Sequence, residues 1–276
     1  MITLLVDAGN SRIKWARLCD GELSPAQAAP YPAPEGRETL PPACLHSWRQ
    51  LPSAIRVIAC NVAGESVQSA LLAWIKEHGP GTIEFVVASA SALGVHNAYG
   101  QPETLGADRW AALIAARHLL RGPACVLDFG TAITIDVLDG KGRHLGGVIG
   151  PGIRLMQHSL STSTSGIGSA ADPRARASGA DWLGAGTGAC VHGGTLLAAT
   201  GLADHALRRA QRLFDEPLQC VFTGGGAGVV LAQLQDDLPV GLSCHHEPDW
   251  VLKGLRVIAE EAQRSLATRS TMEAQQ

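Results

Sequence analysis

Residues 4–11 read LLVDAGNS and residues 126–133 read VLDFGTAI, and the likeness between them decides the fold class. Each is an apolar run suited to a short strand, then aspartate, one residue, glycine and a small hydroxyl or amide side chain. Apolar sequence resumes at once, as IKWARL (13–18) after the first and ITIDVL (133–138) after the second. Strand, tight glycine turn, strand is the signature of a β-hairpin. Two such units, one opening each half of the chain, indicate a duplicated domain.

Outward from these hairpins, IRVIAC (55–60), TIEFVVAS (82–89) and QCVFTGGG (219–226) read as further strands. Helical spacing of apolar residues covers 66–79, 104–120, 187–213 and 249–268. Residues 22–52, rich in proline and short polar residues, read as a loop with a short helix. The STSTSG run at 161–166 reads as a mobile loop or a lid edge rather than a phosphorylation target, and the tail after 268 as frayed. Hairpins followed by strand–helix units favour an α/β architecture. Arg121-Gly122-Pro123 marks the expected break, giving domains 1–121 and 122–276.

Composition narrows the class. The chain has 276 residues, 46% hydrophobic and 17% charged, enough to fill a real core. A net charge of −3 lacks the basic excess of a nucleic-acid binder. Seven cysteines, an odd number with no CxxC pair, argue against a zinc site or a disulfide framework and for reduced thiols. No apolar run reaches the roughly 18 residues that span a bilayer, and MITLLVDAGN lacks the basic start of a signal peptide. A cytoplasmic protein without membrane or nucleic-acid partners is expected.

The hairpin turns carry the first chemistry. Gly9 lets the backbone approach a phosphate, and turn N–H groups with the Asn10 and Ser11 side chains can donate to its oxygens. Asp7, ending an apolar strand, can hold Mg²⁺ directly or through water. Asp-x-Gly-Asn is also ordinary turn chemistry, so one such unit decides little. Asp128 and Thr131 repeat the pattern in the other half, as a nucleotide phosphate chain clamped from two sides would need. FTGGGAG (222–228) runs a strand into glycines, so Gly224 and Gly225 fit an adenosine contact. The GxxxxGK[ST] phosphate loop and the GxSxG elbow are absent.

GADR (106–109) opens a helix. The helix N-terminus favours negative charge, keeping Asp108 ionised and able to accept a proton from an attacking hydroxyl. Arg109 can pair with an anionic group on a substrate. The competing reading is a solvated Asp–Arg pair on an exposed helix face.

VDAGNSRIK (6–14), PETLGADR (102–109), LDFGTAITID (127–136), GGVIGPG (146–152) and FTGGG (222–226) together resemble type III pantothenate kinase, of the acetate and sugar kinase/Hsp70/actin superfamily. The resemblance implies two ribonuclease-H-like, actin-like ATPase domains, each a mixed sheet flanked by helices, in a homodimer. It implies transfer of the γ-phosphoryl of ATP to pantothenate, the first step of coenzyme A synthesis, with Mg²⁺ and a monovalent cation, K⁺ or NH₄⁺. Asp7, Ala8, Gly9, Asn10, Ser11, Arg12, Ile13 and Lys14 match the first phosphate motif, and Thr131 an ATP contact. Asp128 matches the monovalent-cation ligand. Gly106, Ala107, Asp108 and Arg109 match the pantothenate-binding stretch, with Asp108 as proton acceptor. Tyr99 and Thr187 match further pantothenate contacts, although AGTGACVHGG (185–194) departs from the family's more polar pattern. A kinase or phosphatase of the same superfamily with another substrate, and a non-catalytic transcriptional accessory factor, are the alternatives; intact Asp7, Asp108, Arg109 and Asp128 argue for catalysis.

Overall fold

The computed structural model describes residues 2–31, 39–167, 183–234, 238–239 and 241–273, with side chains through Arg264. The chain divides into two compact units, Met1–Leu119 with Asp249–Gln276, and Leu120–Pro248.

In the first unit β1 (Ile2–Ala8) and β2 (Arg12–Cys19) form the first hairpin. Then come β3 (Glu22–Leu23), β4 (Gln27–Pro30), α1 (Pro42–Trp48), β5 (Arg56–Asn61), α2 (Glu65–His78) and β6 (Thr82–Phe85). A small hairpin, β7 (Ser91–Ala92) with β8 (Val95–His96), leads through a 3-10 turn at Pro102–Thr104 into α3 (Ala107–Leu119). The sheet runs β3-β2-β1-β5-β6, with β4 also paired to β2. β1 is antiparallel to β2 and parallel to β5, which is parallel to β6. Thus the 22–52 stretch read as a loop contributes two short strands to the edge of the sheet as well as a helix.

The second unit repeats the plan. β9 (Ala124–Phe129) and β10 (Ala132–Leu138) form the second hairpin, followed by β11 (His144–Pro151), α4 (Ile153–Ser163), α5 (Thr187–Gln211), β12 (Leu218–Thr223), α6 (Ala227–Leu234) and β13 (Leu242–His246). The sheet order β11-β10-β9-β12-β13 has the same sequence of antiparallel and parallel pairings as the first. This double mixed sheet with helices is the expected ribonuclease-H-like architecture. Ser161, Thr162 and Ser163 close α4 rather than lying in a loop; their hydroxyl groups can bond back to helix carbonyls, as Thr162 Oγ1 does to His158 O at 2.9 Å.

β1 is buried along almost its whole length, as a strand covered on both faces must be. Leu4, Val6 and Ala8 join Trp15, Trp48, Leu71 and Trp74 in the core under α1 and α2. In the second unit Cys125, Leu127 and Phe129 pack with Ala203, Leu207, Phe222 and Val230 under α5 and α6. β1 ends at Asp7-Ala8 and β9 ends at Asp128-Phe129, so each apolar strand delivers one carboxylate to its own end.

α7 (Trp250–Glu273) corrects the expected domain division, for it belongs to the first unit rather than to the 122–276 half. Trp250 donates its indole N–H to Ala112 O of α3 at 3.0 Å. Gly254 lies so close to Ala111 that a Cβ there would overlap the Ala111 carbonyl. Leu252, Leu255 and Ala259 are fully buried. α3 presents Trp110 to Ala116 as an unbroken buried run, apolar on every side, and such a helix needs a cover as well as a sheet. The helix also continues to Glu273, through part of the tail read as frayed.

Candidate active site

In the first unit the glycine turn closes through Gly9 N–H to Arg12 O at 3.1 Å, leaving Asn10 and Ser11 exposed at its tip. Asp7 stands opposite Lys14 of β2 and in register with Cys60 of β5. Cys60 is fully buried and donates its thiol hydrogen to Ala107 O, in the first turn of α3, at 3.1 Å. Burial, then the negative fields of Asp7 and Asp108, push the Cys60 thiol well above the usual range, so it remains a donor. The Asp7 strand and the Asp108 helix therefore converge on one buried thiol. In sequence Cys60 is one of seven cysteines and lies in an apolar run, and only the pairing of β5 with β1 brings it beside Asp7.

The GADR turn is built tightly. Gly106 O accepts the first helical bond from Trp110 N–H at 2.9 Å, and a Cβ on Gly106 would stand 2.6 Å from Asp108 Oδ1. Asp108 Oδ1 accepts the N–H of Arg109 at 2.8 Å. Arg109 is only 8% exposed, which overturns the solvated-face reading, and its Nη1 donates to Tyr99 Oη at 2.8 Å. Its guanidinium also lies 5.7 Å from the centre of the Tyr99 ring, within cation–π range. Two residues matched separately to substrate contacts, Tyr99 and Arg109, are thus one hydrogen-bonded pair.

In the second unit Asp128 pairs in register with Thr134 of β10 and Thr223 of β12, so the three share one face at the end of the sheet. Thr223 is buried, and the motif reading had stopped at the glycines after it. Gly224 has φ +85°, and a Cβ there would overlap Asp128 Oδ1 and crowd the Phe129 backbone. A Cβ on Gly130 would stand 3.4 Å from the same oxygen. The carboxylate therefore sits in a cradle of two glycines, where an added Cβ would crowd it.

Two helices begin at this turn. Gly226 N–H donates to Phe129 O at 2.9 Å just before α6, and Gly152 N–H donates to Thr131 O at 2.9 Å just before α4. A Cβ on Gly152 would overlap the carbonyls of Gly130 and Thr131. Helix N-termini favour anions, so the exposed Thr131 stands where phosphate oxygens would be welcome. Thr187 is the exposed first residue of α5, with no hydrogen bond to another assigned residue among those described. Among the described residues no cluster of three or more His, Cys, Asp or Glu could hold a metal, and no helix is long and apolar enough to cross a membrane.

A family model described as type III pantothenate kinase matches residues 3–209, a span that takes in both hairpins, the GADR turn and Thr187. The chain belongs to the type III pantothenate kinase family. A family relative named type III pantothenate kinase from Nitrosococcus oceani is 36% identical over 95% of this chain and 95% of its own. Another of that name, from Halorhodospira halophila, is 40% identical over 91% of this chain and 95% of its own. Among solved structures, one described as a Baf family transcriptional activator from Campylobacter jejuni aligns with TM-score 0.57 and 19% identity over 95% of this chain and 99% of that one. One described as a 2-dehydro-3-deoxygalactonokinase from Sinorhizobium meliloti gives 0.58 and 16%, over 94% and 96%. At those identities the two structures speak for the fold alone.

Proposed function

We propose that the protein phosphorylates pantothenate with ATP, giving 4′-phosphopantothenate at the entry to coenzyme A synthesis, in the cytoplasm. The observation that carries this reading is the family match, which spans both aspartate–glycine hairpins and the GADR turn in one alignment.

The roles follow from chemistry. The hairpin from Asp7 to Lys14 offers turn N–H groups, the Asn10 and Ser11 side chains and the Lys14 ammonium to the phosphates. Thr131 adds a hydroxyl beside two helix N-termini, and Gly224 with Gly225 gives a bare surface to adenosine. Arg109, held by Tyr99, pairs with the pantothenate carboxylate, while Tyr99, Gly106, Ala107 and Thr187 complete the substrate's surroundings. Asp108 accepts the proton from the attacking hydroxyl, which general-base catalysis values at about 10²–10⁴-fold. The remaining acceleration comes from positioning and charge stabilisation of a loose transition state.

The donor set suits the cations of the family. Asp128, in its glycine cradle, would hold K⁺ or NH₄⁺, and Asp7 at a strand end would hold Mg²⁺ with water and phosphate oxygens as its other ligands. Such ions supply positive charge to the phosphate oxygens. A homodimer is part of the same reading. The exposed apolar side chains Leu145, Val148 and Ile149 of edge strand β11 support it, since bare apolar edges are usually covered.

The test is ADP release by the purified protein with ATP, pantothenate and Mg²⁺, with and without K⁺, and mass spectrometry of the product. Pantothenate-dependent turnover that rises with K⁺ is expected. A folded protein that consumes ATP only with another alcohol, or not at all, would overturn the substrate. Light scattering during size-exclusion chromatography reads the dimer.

A further inference from the structure

The pairing of Tyr99 with Arg109 depends on a segment with little packing of its own. Between β6 and α3 the chain forms the small β7–β8 hairpin, then an irregular run from Asn97 to Leu105 broken only by the 3-10 turn. Of these residues, Val95 and Leu105 are buried and most others are exposed or half-buried. Such a segment holds a shape only through specific hydrogen bonds.

Its two ends are tied to opposite ends of the same helix. At the hairpin tip, Arg117 Nε donates to Gly94 O at 3.3 Å, and the His118 ring lies 2.9 Å from Leu93 O; both side chains come from the last turn of α3. At the other end Tyr99 Oη accepts from Arg109 in the first turn of α3. The segment is thus a strap laid along α3 from its C-terminal to its N-terminal turn.

One side chain sets the bend between these ties. Asn97 N–H donates to Ala90 O at 2.9 Å, anchoring it to the start of the β7–β8 hairpin. Its Oδ1 accepts the backbone N–H of Tyr99 at 3.0 Å, and its Nδ2 donates to Pro102 O at 3.1 Å. Asn97 therefore uses both halves of its amide to join the backbone just before the aromatic ring to the 3-10 turn just after it. Aspartate could keep the first bond and not the second, and leucine neither.

We propose that Asn97 is a positioning residue for substrate recognition: it fixes the Tyr99 backbone so that the Tyr99 hydroxyl meets Arg109, and it acts on the substrate only through that pair. The inference rests on the proposed role of Tyr99 and Arg109 in binding the anionic end of pantothenate. Loss of two ordinary hydrogen bonds, in the lower part of their usual net worth, corresponds to about a ten-fold effect. Asn97→Ala therefore raises the KM for pantothenate about ten-fold and leaves the KM for ATP within two-fold.

The discriminating experiment is a double-mutant cycle with Tyr99→Phe, which removes the hydroxyl and keeps the ring. In the Tyr99→Phe background, Asn97→Ala is expected to cost less than two-fold more. Asn97→Asp, which keeps the acceptor for Tyr99 N–H, falls between wild type and Asn97→Ala. Multiplicative effects of the two substitutions, or an equal rise in the KM for ATP, would overturn the proposal by showing a general structural role. Amide hydrogen exchange gives a readout that needs no substrate: Tyr99 N–H exchanges at least about ten-fold faster in Asn97→Ala while α2 amides stay unchanged. If pantothenate is not the substrate, exchange still decides the role of Asn97; unaltered Tyr99 exchange refutes it.

Discussion

Gly224 lies against Asp128 so closely that a single methyl group on its α-carbon would overlap the Asp128 carboxylate. Its φ of +85° also suits glycine and strains any other residue. The glycine run and the aspartate, read from the sequence as two motifs, are therefore one cradle. Gly224→Ala is expected to destabilise the protein by more than about 1 kcal/mol in urea unfolding and to abolish activation by K⁺. Gly201→Ala, inside α5 with open space around the α-carbon, should be neutral or mildly stabilising. Equal behaviour of the two variants would remove the cradle.

Asp108→Asn keeps the shape and an oxygen that accepts the Arg109 N–H but loses the negative charge. The expected result is a kcat lower by at least about 10²-fold with an unchanged melting temperature. Near-normal turnover by the folded variant would end the assignment of Asp108 as base.

The contact of α7 with α3 makes Gly254 sensitive. A Cβ at that position meets backbone, the Ala111 carbonyl, which cannot move aside as a flexible side chain can. Gly254→Ala should cost several kcal/mol, and Trp250→Phe, which removes one hydrogen bond to Ala112 and part of a buried ring, about 1–3 kcal/mol. Urea unfolding of both variants reads the difference. Similar small losses would show that α7 adjusts freely on α3.

Cys220 and Cys244 face each other in register on β12 and β13. The Cys220 thiol, which reaches Leu218 O at 3.7 Å, can turn to donate to a Cys244 thiolate. This favours the thiolate against the opposing partial burial, so the Cys244 pKa is lowered. The thiolate is the reactive form, and its fraction falls as pH drops through the pKa. Iodoacetamide labelling of Cys244 should therefore persist to lower pH than for a free thiol of pKa about 8.5. In Cys220→Ala the labelling curve shifts back upward; an unmoved curve contradicts the coupling. Cys44, Cys60, Cys125 and Cys220, all buried, should label only on unfolding.

Local rules made the hairpins legible, because a short apolar run and a glycine turn leave their marks within a dozen residues. The start of α3 was legible for the same reason: Gly106 and Asp108 are helix-entry chemistry wherever they occur. What escaped were relationships across long sequence separations. The apolar stripe of α7 announces a helix but not which sheet it covers, and chain order suggested the wrong one. The competing solvated-face reading of Arg109 came from the rule that charged residues are usually exposed; α3 is enclosed, and Tyr99 supplies the buried guanidinium with a partner. Cys60 lies in no motif and Thr223 drew no role within FTGGG, and only strand register brings them beside Asp7 and Asp128.

The membership of α7 has a consequence for how a cell makes this protein. A ribosome delivers residues 120–248 as one uninterrupted stretch, so the later-coded unit holds everything it needs while α7 is still being translated. The earlier-coded unit meanwhile waits with the Ala111 and Ala112 side of α3 uncovered by α7, an attractive target for chaperones and for neighbouring nascent chains. Birth order and completion order are thus reversed, and a premature stop anywhere before Trp250 strands the half that was started first.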